Sequence, residues 1–341
     1  MVANFLKWFQ RGYTDVVGVD VGGTATKAVR LKRTKDGVFH LLAADFLPRA
    51  VLPDGAEGAA VPVAPLQLPK PLRARYVALA LSSPATVIKL LTFPAHSDKS
   101  KDSQVSDLLG LGNAAEYRMA YESVAESRSE SKVLAVAMPD RIAHAACGFF
   151  PAGKPAPCSL EFSGLCSLTA YTRGPGKENR DQCVAVMDFG AYITTVAFFN
   201  KDALCLIRKF DFGASGILKR LEENLGVETD VAVGILTDGS FDITHVVHQA
   251  MESFLQQVAI SVDFVERREN SRVSKLFVCG GVSGMRSWGQ EIQKKLGLEP
   301  VYWDPFKGLP AKPGALPARL KGQEPRFSAA VGAALAVIGE R

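Results

Sequence analysis

Val17-Gly-Val-Asp20-Val-Gly22-Gly23-Thr24-Ala-Thr-Lys27 gathers a carboxylate, two glycines, two hydroxyls and a lysine on one apolar strand and the turn that ends it. Asp20 at the strand's C-terminal edge can hold a Mg²⁺ ion through water, and the glycines leave backbone N–H groups free to face phosphate oxygens. Lys27, on the returning strand, is a further partner for phosphate charge. Asp and Gly also form ordinary turns on any fold, so a plain hairpin is the competing reading of this segment taken alone. Val186-Met-Asp188-Phe-Gly190-Ala-Tyr-Ile-Thr194-Thr195 repeats the pattern: apolar strand, Asp, apolar, Gly, then Thr on the return. Two such tips could clamp a triphosphate with its Mg²⁺, because dense negative charge needs donors from both sides and a cation. A third segment, Leu276-Phe-Val-Cys-Gly280-Gly281-Val-Ser283-Gly284, ends a strand in glycines that let a flat adenine or a ribose approach the backbone. By itself it is also a simple strand-to-helix turn.

The elements that must position these residues follow from hydrophobic period and turn chemistry. Strands are expected at 15–21, 27–32 and 38–46, with the Lys35-Asp36-Gly37 turn between the last two. The same order of strand, Asp-x-Gly turn, strand, charged turn, strand restarts near 183. That recurrence predicts two related lobes, each offering a hairpin tip to a shared cleft. This is not a strand, glycine loop and long helix, which separates it from Rossmann and Walker loops. Between the two cycles we expect strands at 76–81, 86–93, 117–124 and 132–137, and helices at 103–111, 140–149 and 160–171. The Pro/Ala-rich stretch 48–71 reads as an irregular surface segment or a poorly formed helix. After the second cycle, helices are expected at 214–225, 243–267, 287–296 and 327–338, with strands at 275–279 and 300–303. The fold class is therefore mixed α/β.

With 341 residues, the chain exceeds the size at which one core stops growing, so two domains or lobes are expected. The 40 basic and 35 acidic side chains leave a net charge of +5, too balanced and too scattered for a nucleic-acid partner. Six cysteines without a CxxC spacing and five scattered histidines argue against zinc; the cysteines read as small buried residues of a reducing compartment. No stretch reaches the roughly 18 apolar residues of a membrane span, and the opening residues lack the pattern of a signal peptide. Phe5, Leu6, Trp8 and Phe9 beside Lys7 and Arg11 could touch a membrane surface or a partner, or fold back on the domain.

The three segments, in this order, resemble the phosphate and adenosine motifs of the actin, Hsp70 and sugar-kinase ATPases. Within that superfamily the chain is most similar to the PilM family of type IV pilus assembly proteins, relatives of the cell-division protein FtsA. The resemblance spans about residues 15–338. Gly18-Val-Asp20-Val-Gly22 with Lys27-Ala-Val resembles the family's opening motif. Tyr76 to Pro84, with Leu91-Thr-Phe-Pro94-Ala, resembles the strands that open a small inserted subdomain. Asp188-Phe-Gly190-Ala191 with Thr194, then Arg208 to Gly213, resembles the second phosphate region and the glycine turn beyond it. Phe327 to Leu335 resembles the last helix.

The resemblance implies an actin-like fold that binds ATP and Mg²⁺, with slow or absent hydrolysis. Its cofactor-binding set would be Asp20, Gly22, Gly23, Thr24, Lys27, Asp188, Gly190, Thr194, Gly213, Gly280, Gly281 and Ser283, with Asp20 and Asp188 holding Mg²⁺ through water. It also implies a scaffold of a type IV pilus or type II secretion-like machine, docking the cytoplasmic tail of a PilN-like inner-membrane protein in a groove formed with the small subdomain. The protein is then expected in the cytoplasm, at the inner membrane only through partners or peripheral contact, with self-association open. The implied boundaries are an N-terminal extension at 1–13, a first lobe at 14–76 and 151–205, an inserted subdomain at 77–150, and a second lobe at 206–341.

Two other readings stand beside this one. The region after Gly213 has Ala214-Ser-Gly216 in place of a more usual second glycine and Thr, and no clear ribose helix at 227–238. A non-catalytic interaction protein with a vestigial nucleotide site would look like this. Gly22-Gly23-Thr24 is also the wording of sugar-kinase openings, but such a kinase needs a general base near the acceptor hydroxyl. Only Asp140 and Glu161 are available for that role, and neither stands in the context of a substrate loop.

Overall fold

The computed structural model describes residues 12–52, 63–94, 101–151, 153–238, 241–281 and 287–338. The aromatic N-terminal segment, much of the Pro/Ala-rich stretch and Ser283 lie outside them. The elements run β1 (Asp15–Val21), β2 (Thr26–Arg33), β3 (Phe39–Leu47), β4 (Tyr76–Leu81), β5 (Val87–Pro94), α1 (Lys101–Leu109), β6 (Tyr117–Glu126) and β7 (Glu130–Pro139). Then come α2 (Asp140–Cys147), β8 (Ala156–Phe162), α3 (Ser163–Arg173), β9 (Cys183–Phe189), β10 (Thr194–Asn200) and β11 (Ala203–Phe210). The chain continues through α4 (Ala214–Leu225), α5 (Thr229–Asp238), α6 (Thr244–Glu269), β12 (Val273–Cys279), α7 (Ser287–Leu296), β13 (Pro300–Tyr302) and α8 (Ser328–Val337).

Two compact units result, one holding the residues up to Gly174 with Pro305–Lys321 and the chain from Phe327 on, the other Pro175–Asp304 with Gly322–Arg326. Each is built on a five-stranded sheet, ordered β3-β2-β1-β4-β8 in the first and β11-β10-β9-β12-β13 in the second. In both, three sequence-consecutive strands pair antiparallel and two more join in parallel. The repeat expected from the two Asp-x-Gly hairpins is therefore a repeat of whole-sheet topology.

In the first unit, β1 is buried along nearly its whole length, as an apolar run covered on both faces must be. α3 and α8 are buried almost throughout and cross closely. A Cβ on Gly332 would lie 1.7 Å from the Cys166 carbonyl oxygen, and one on Gly18 would lie 2.0 Å from that of Ala330. Only glycine lets these backbones meet. The inserted sheet, ordered β5-β7-β6, has its own small core of Leu91, Phe93, Val105, Leu109 and Val133. In the second unit, α6 lays Val247, Met251, Phe254, Val258, Val262 and Val265 against the sheet in a helical stripe. Phe189 meets Phe254 and Trp288 with ring centroids 5.8 and 4.8 Å apart.

Three expectations are corrected. Leu160 to Phe162 are not helical; they end β8, and the helix begins at Ser163. Pro155 and Pro157 disguise that strand, and Pro157 is tolerated because β8 ends its sheet and pairs on one side only. The 227–238 region, expected without a clear helix, forms α5. The expected lobe boundaries also fall elsewhere. A cut at 205/206 would sever β11, one at 76/77 would sever β4, and α8, expected with the second lobe, belongs to the first unit. Four cysteines are buried as expected, but Cys147 is exposed and Cys158 half-buried. Among the described residues, no helix is long and apolar enough to cross a membrane.

Candidate functional sites

Asp20 and Lys27 are cross-strand partners on β1 and β2. Both are buried, at 5% and 7% exposure, with Lys27 Nζ 2.7 Å from Asp20 Oδ2. The other carboxylate oxygen, Oδ1, accepts a hydrogen bond from Ser163 Oγ at 2.9 Å. A Cβ on Gly22 would lie 2.6 Å from Lys27 Nζ and 2.9 Å from the Ala25 carbonyl oxygen, so glycine is what lets the turn close over the lysine. Lys27, expected to face phosphate, here neutralises Asp20. Gly23 is half-buried in the same turn and Thr24 is exposed, while Thr26 accepts from the Ala50 N–H at 2.9 Å.

Sequence reasoning missed Ser163. It lies 143 residues from Asp20, and β8 carries it there through its parallel pairing with β4, itself beside β1. A strand correctly read at 156–162 would have placed it beside Asp20.

In the second unit, Asp188, next to last in β9, lies opposite Cys279 on β12. Gly280, at φ +98°, lies so close that a Cβ would meet Asp188 Oδ1 at 2.6 Å and the Phe189 carbonyl oxygen at 2.4 Å. A Cβ on Gly213 would sit 2.5 Å from the carbonyl oxygens of Gly190 and Ala191. Those same two oxygens accept from the N–H groups of Ala214 and Ser215 at 3.1 and 2.9 Å. Asp188–Ala191, the Gly213 turn and Gly280 therefore converge at the C-terminal ends of β9 and β12, with Gly281 next in the chain. The Thr194 hydroxyl donates to the Phe212 carbonyl at 2.8 Å, which commits it to the turn itself.

No cluster of three or more His, Cys, Asp or Glu side chains fit to hold a bare metal occurs among the described residues. Each turn instead offers one carboxylate and a glycine-opened backbone. That donor set fits a Mg²⁺ that keeps most of its waters and arrives with phosphate oxygens, as Mg²⁺ does in nucleotide sites.

The first unit also contains a cavity of about 530 Å³, walled by β6, β7, α2, β8 and the start of α3. β6 and β8 are each the last strand of their sheets. At the rim, Arg118 pairs with Asp140, which also meets His144 Nδ1 at 2.8 Å. The Arg118 hydrogen bond is the main cause holding the Asp140 carboxyl below the usual carboxylate range. In the wall, Glu161 is 8% exposed, and accepts from Ser159 Oγ at 3.1 Å and Cys166 Sγ at 3.8 Å. Burial pushes its carboxyl up to about 7. The two residues available as a kinase base are thus a rim ion pair and a wall carboxyl of this groove.

Glu161 makes stability depend on pH. The unfolded chain ionises it near the ordinary value of 4.5, while the folded chain holds the proton to about 7. The penalty is absent below the first value, grows between the two and is complete above the second, on the order of 3 kcal/mol. Glu161→Gln is therefore expected to raise the denaturation midpoint at pH 8 and to leave it unchanged at pH 4. An equal shift at both pH values would refute the buried charge as the cause.

A model of the type IV pilus assembly protein PilM matches residues 167–338, just over half of the 341-residue chain. No curated protein sequence matches the chain. Among solved structures, a PilM–PilN type IV pilus biogenesis complex is 18% identical, covers 95% of this chain and 99% of that one, and superposes with a TM-score of 0.76. The ethanolamine utilization protein EutJ from Carboxydothermus hydrogenoformans is 14% identical over 97% of this chain and 91% of that one, with a TM-score of 0.48. An archaeal actin homologue is 14% identical over 95% and 98%, with a TM-score of 0.46. By the family match, this chain, whose two related α/β units share the fold seen in the PilM–PilN structure, belongs to the PilM family of type IV pilus assembly proteins.

Proposed function

We propose that the chain is a cytoplasmic, nucleotide-gated scaffold of a type IV pilus assembly machine. In this reading it docks the cytoplasmic tail of a PilN-like inner-membrane protein in the groove between β6 and β8. The groove carries the reading: two sheet-end strands flank an apolar cavity of about 530 Å³, room for several side chains of an extended segment. An edge strand turns alternate N–H and C=O groups away from its sheet, and an added strand satisfies them. The similarity to a PilM–PilN complex names the kind of partner.

In each unit the Asp-Gly turn, Asp20 in the first and Asp188 in the second, offers its carboxylate and glycine backbone to ATP with Mg²⁺. The Gly280-Gly281 strand end serves adenosine. Bound nucleotide supplies phosphate charge and the cation, and its part is to shift the population that binds the tail rather than to drive a reaction. Ser163 reaches Asp20 from α3, which begins where β8 ends, so nucleotide at Asp20 and a peptide along β8 bear on one short segment.

Titration with a fluorescent ATP analogue, with and without Mg²⁺, tests the nucleotide part. Binding should need Mg²⁺, yield little ADP over hours, and weaken at least 100-fold in Asp188→Ala. No binding at millimolar nucleotide would sink the gating and leave a scaffold with a vestigial site.

A further inference from the structure

The groove's chemistry narrows what it can hold. Its walls are apolar, with Met119, Val136, Met138, Leu160, Phe162 and Leu165 lining them. Of the two described acidic residues that line it, Asp140 is engaged at the rim and Glu161 stands in the wall, where its two hydrogen-bond partners, Ser159 and Cys166, are neutral. The charged groups at the rim already answer each other, Arg118 with Asp140. From α2 the cavity also meets Cys147, an exposed residue whose partly covered thiol is pushed up by desolvation; on β8, burial pushes the neighbouring Cys158 thiol up to about 12. Both thiols therefore stay neutral near pH 7, and Glu161 is the buried wall group whose charge changes there, apart from His144, which faces Asp140 at the rim. A buried carboxylate with neutral donors lacks a counter-charge, and a ligand that brings one gains what a neutral or acidic ligand forfeits.

We propose that the groove selects an extended peptide with apolar side chains around one lysine or arginine, whose cationic end pairs with the Glu161 carboxylate. The proposal rests on the groove being the dock for the partner tail, and adds the residue that reads it. The apolar side chains fill the walls while the backbone runs along β6 or β8 as an added strand. Because the cation favours the ionised carboxylate, binding near pH 7 releases the proton that part of the free protein carries there. Affinity accordingly falls as the pH drops below 7.

Calorimetric titration of the full chain with the PilN-like partner's cytoplasmic tail, as a synthetic peptide, tests this. A set of peptides replaces each lysine and arginine singly by norleucine. One replacement should weaken binding about tenfold or more, Glu161→Gln should weaken the unmodified tail similarly, and the two changes together should cost no more than either alone. Repeating the wild-type titration at pH 7 in buffers of different ionisation enthalpy should show proton release that Glu161→Gln abolishes. If every norleucine peptide binds the wild type within twofold, or no proton is released, the role of Glu161 is overturned while the dock stands. Ala120→Trp, which fills the groove from β6, tells the readings apart. A tail that binds this variant as tightly as the wild type does not use the groove, and both readings fall. Should Glu161→Gln not fold, proton release by the wild type decides.

Discussion

Asp20→Ala is expected to cost about 3–5 kcal/mol of stability, the usual result of stranding one member of a buried ion pair. Lys27, at 7% exposure, would be left without its carboxylate partner, and Ser163 would lose its acceptor. Asp20→Asn should cost less, since the amide oxygen can still accept from Ser163. The Asp20→Asn, Lys27→Met double variant should regain much of the loss, because a neutral pair of similar volume removes the uncompensated charge. None of the three should bind Mg²⁺–ATP if Asp20 helps to hold it. Denaturant unfolding and the fluorescent nucleotide titration read the two effects separately. A double variant no more stable than Asp20→Ala would show that the pair does not act through its charge.

The second large effect lies where no ligand is involved. Gly332→Ala places a methyl group 1.7 Å from the Cys166 carbonyl oxygen and 2.4 Å from its carbon. These are backbone atoms in mid-helix and cannot step aside as a flexible side chain would. α8 is also pinned on its other side, where Gly18 closes on the Ala330 carbonyl. Either α3 and α8 separate or α8 lifts from β1, and both expose core. The expected loss is on the order of 4 kcal/mol, at the severe end for one methyl group, read as a large drop in melting temperature and soluble yield. Gly234→Ala serves as the control: it sits within α5 with nothing inside 4 Å of its Cβ position. It should gain about 0.5–1 kcal/mol from helix propensity alone. If both variants behave alike, the close crossing of α3 and α8 is not what holds the first unit together.

Local chemistry is read well from sequence here because hairpins are local. Asp20 and Lys27 face each other within one strand-turn-strand, and Asp188 to Thr194 repeats it, so both turns and the sheet order they begin are legible from residue types. The stripe on α6 and the alanine-rich composition of α8 likewise announce long buried helices before any contact is known. β8 escaped because two prolines and polar Ser159 look like a loop, and only the register with β4, about 80 residues away, makes it a strand.

By itself, then, the sequence determined the two Asp-Gly hairpins, the α/β class and the family resemblance, all of which depend on residues close in the chain. Tertiary structure alone decided the rest. It gave Asp20 a serine from 143 residues away and set Lys27, read as a partner for phosphate charge, against the Asp20 carboxylate. It committed the Thr194 hydroxyl to a carbonyl, returned α8 to the first unit, and closed β6 and β8 around Glu161. The physical reason is common to all of these. A polar side chain's partner, and the pH at which it titrates, are set by what burial brings next to it, and that neighbour comes from sheet pairing and helix packing rather than from adjacent residues.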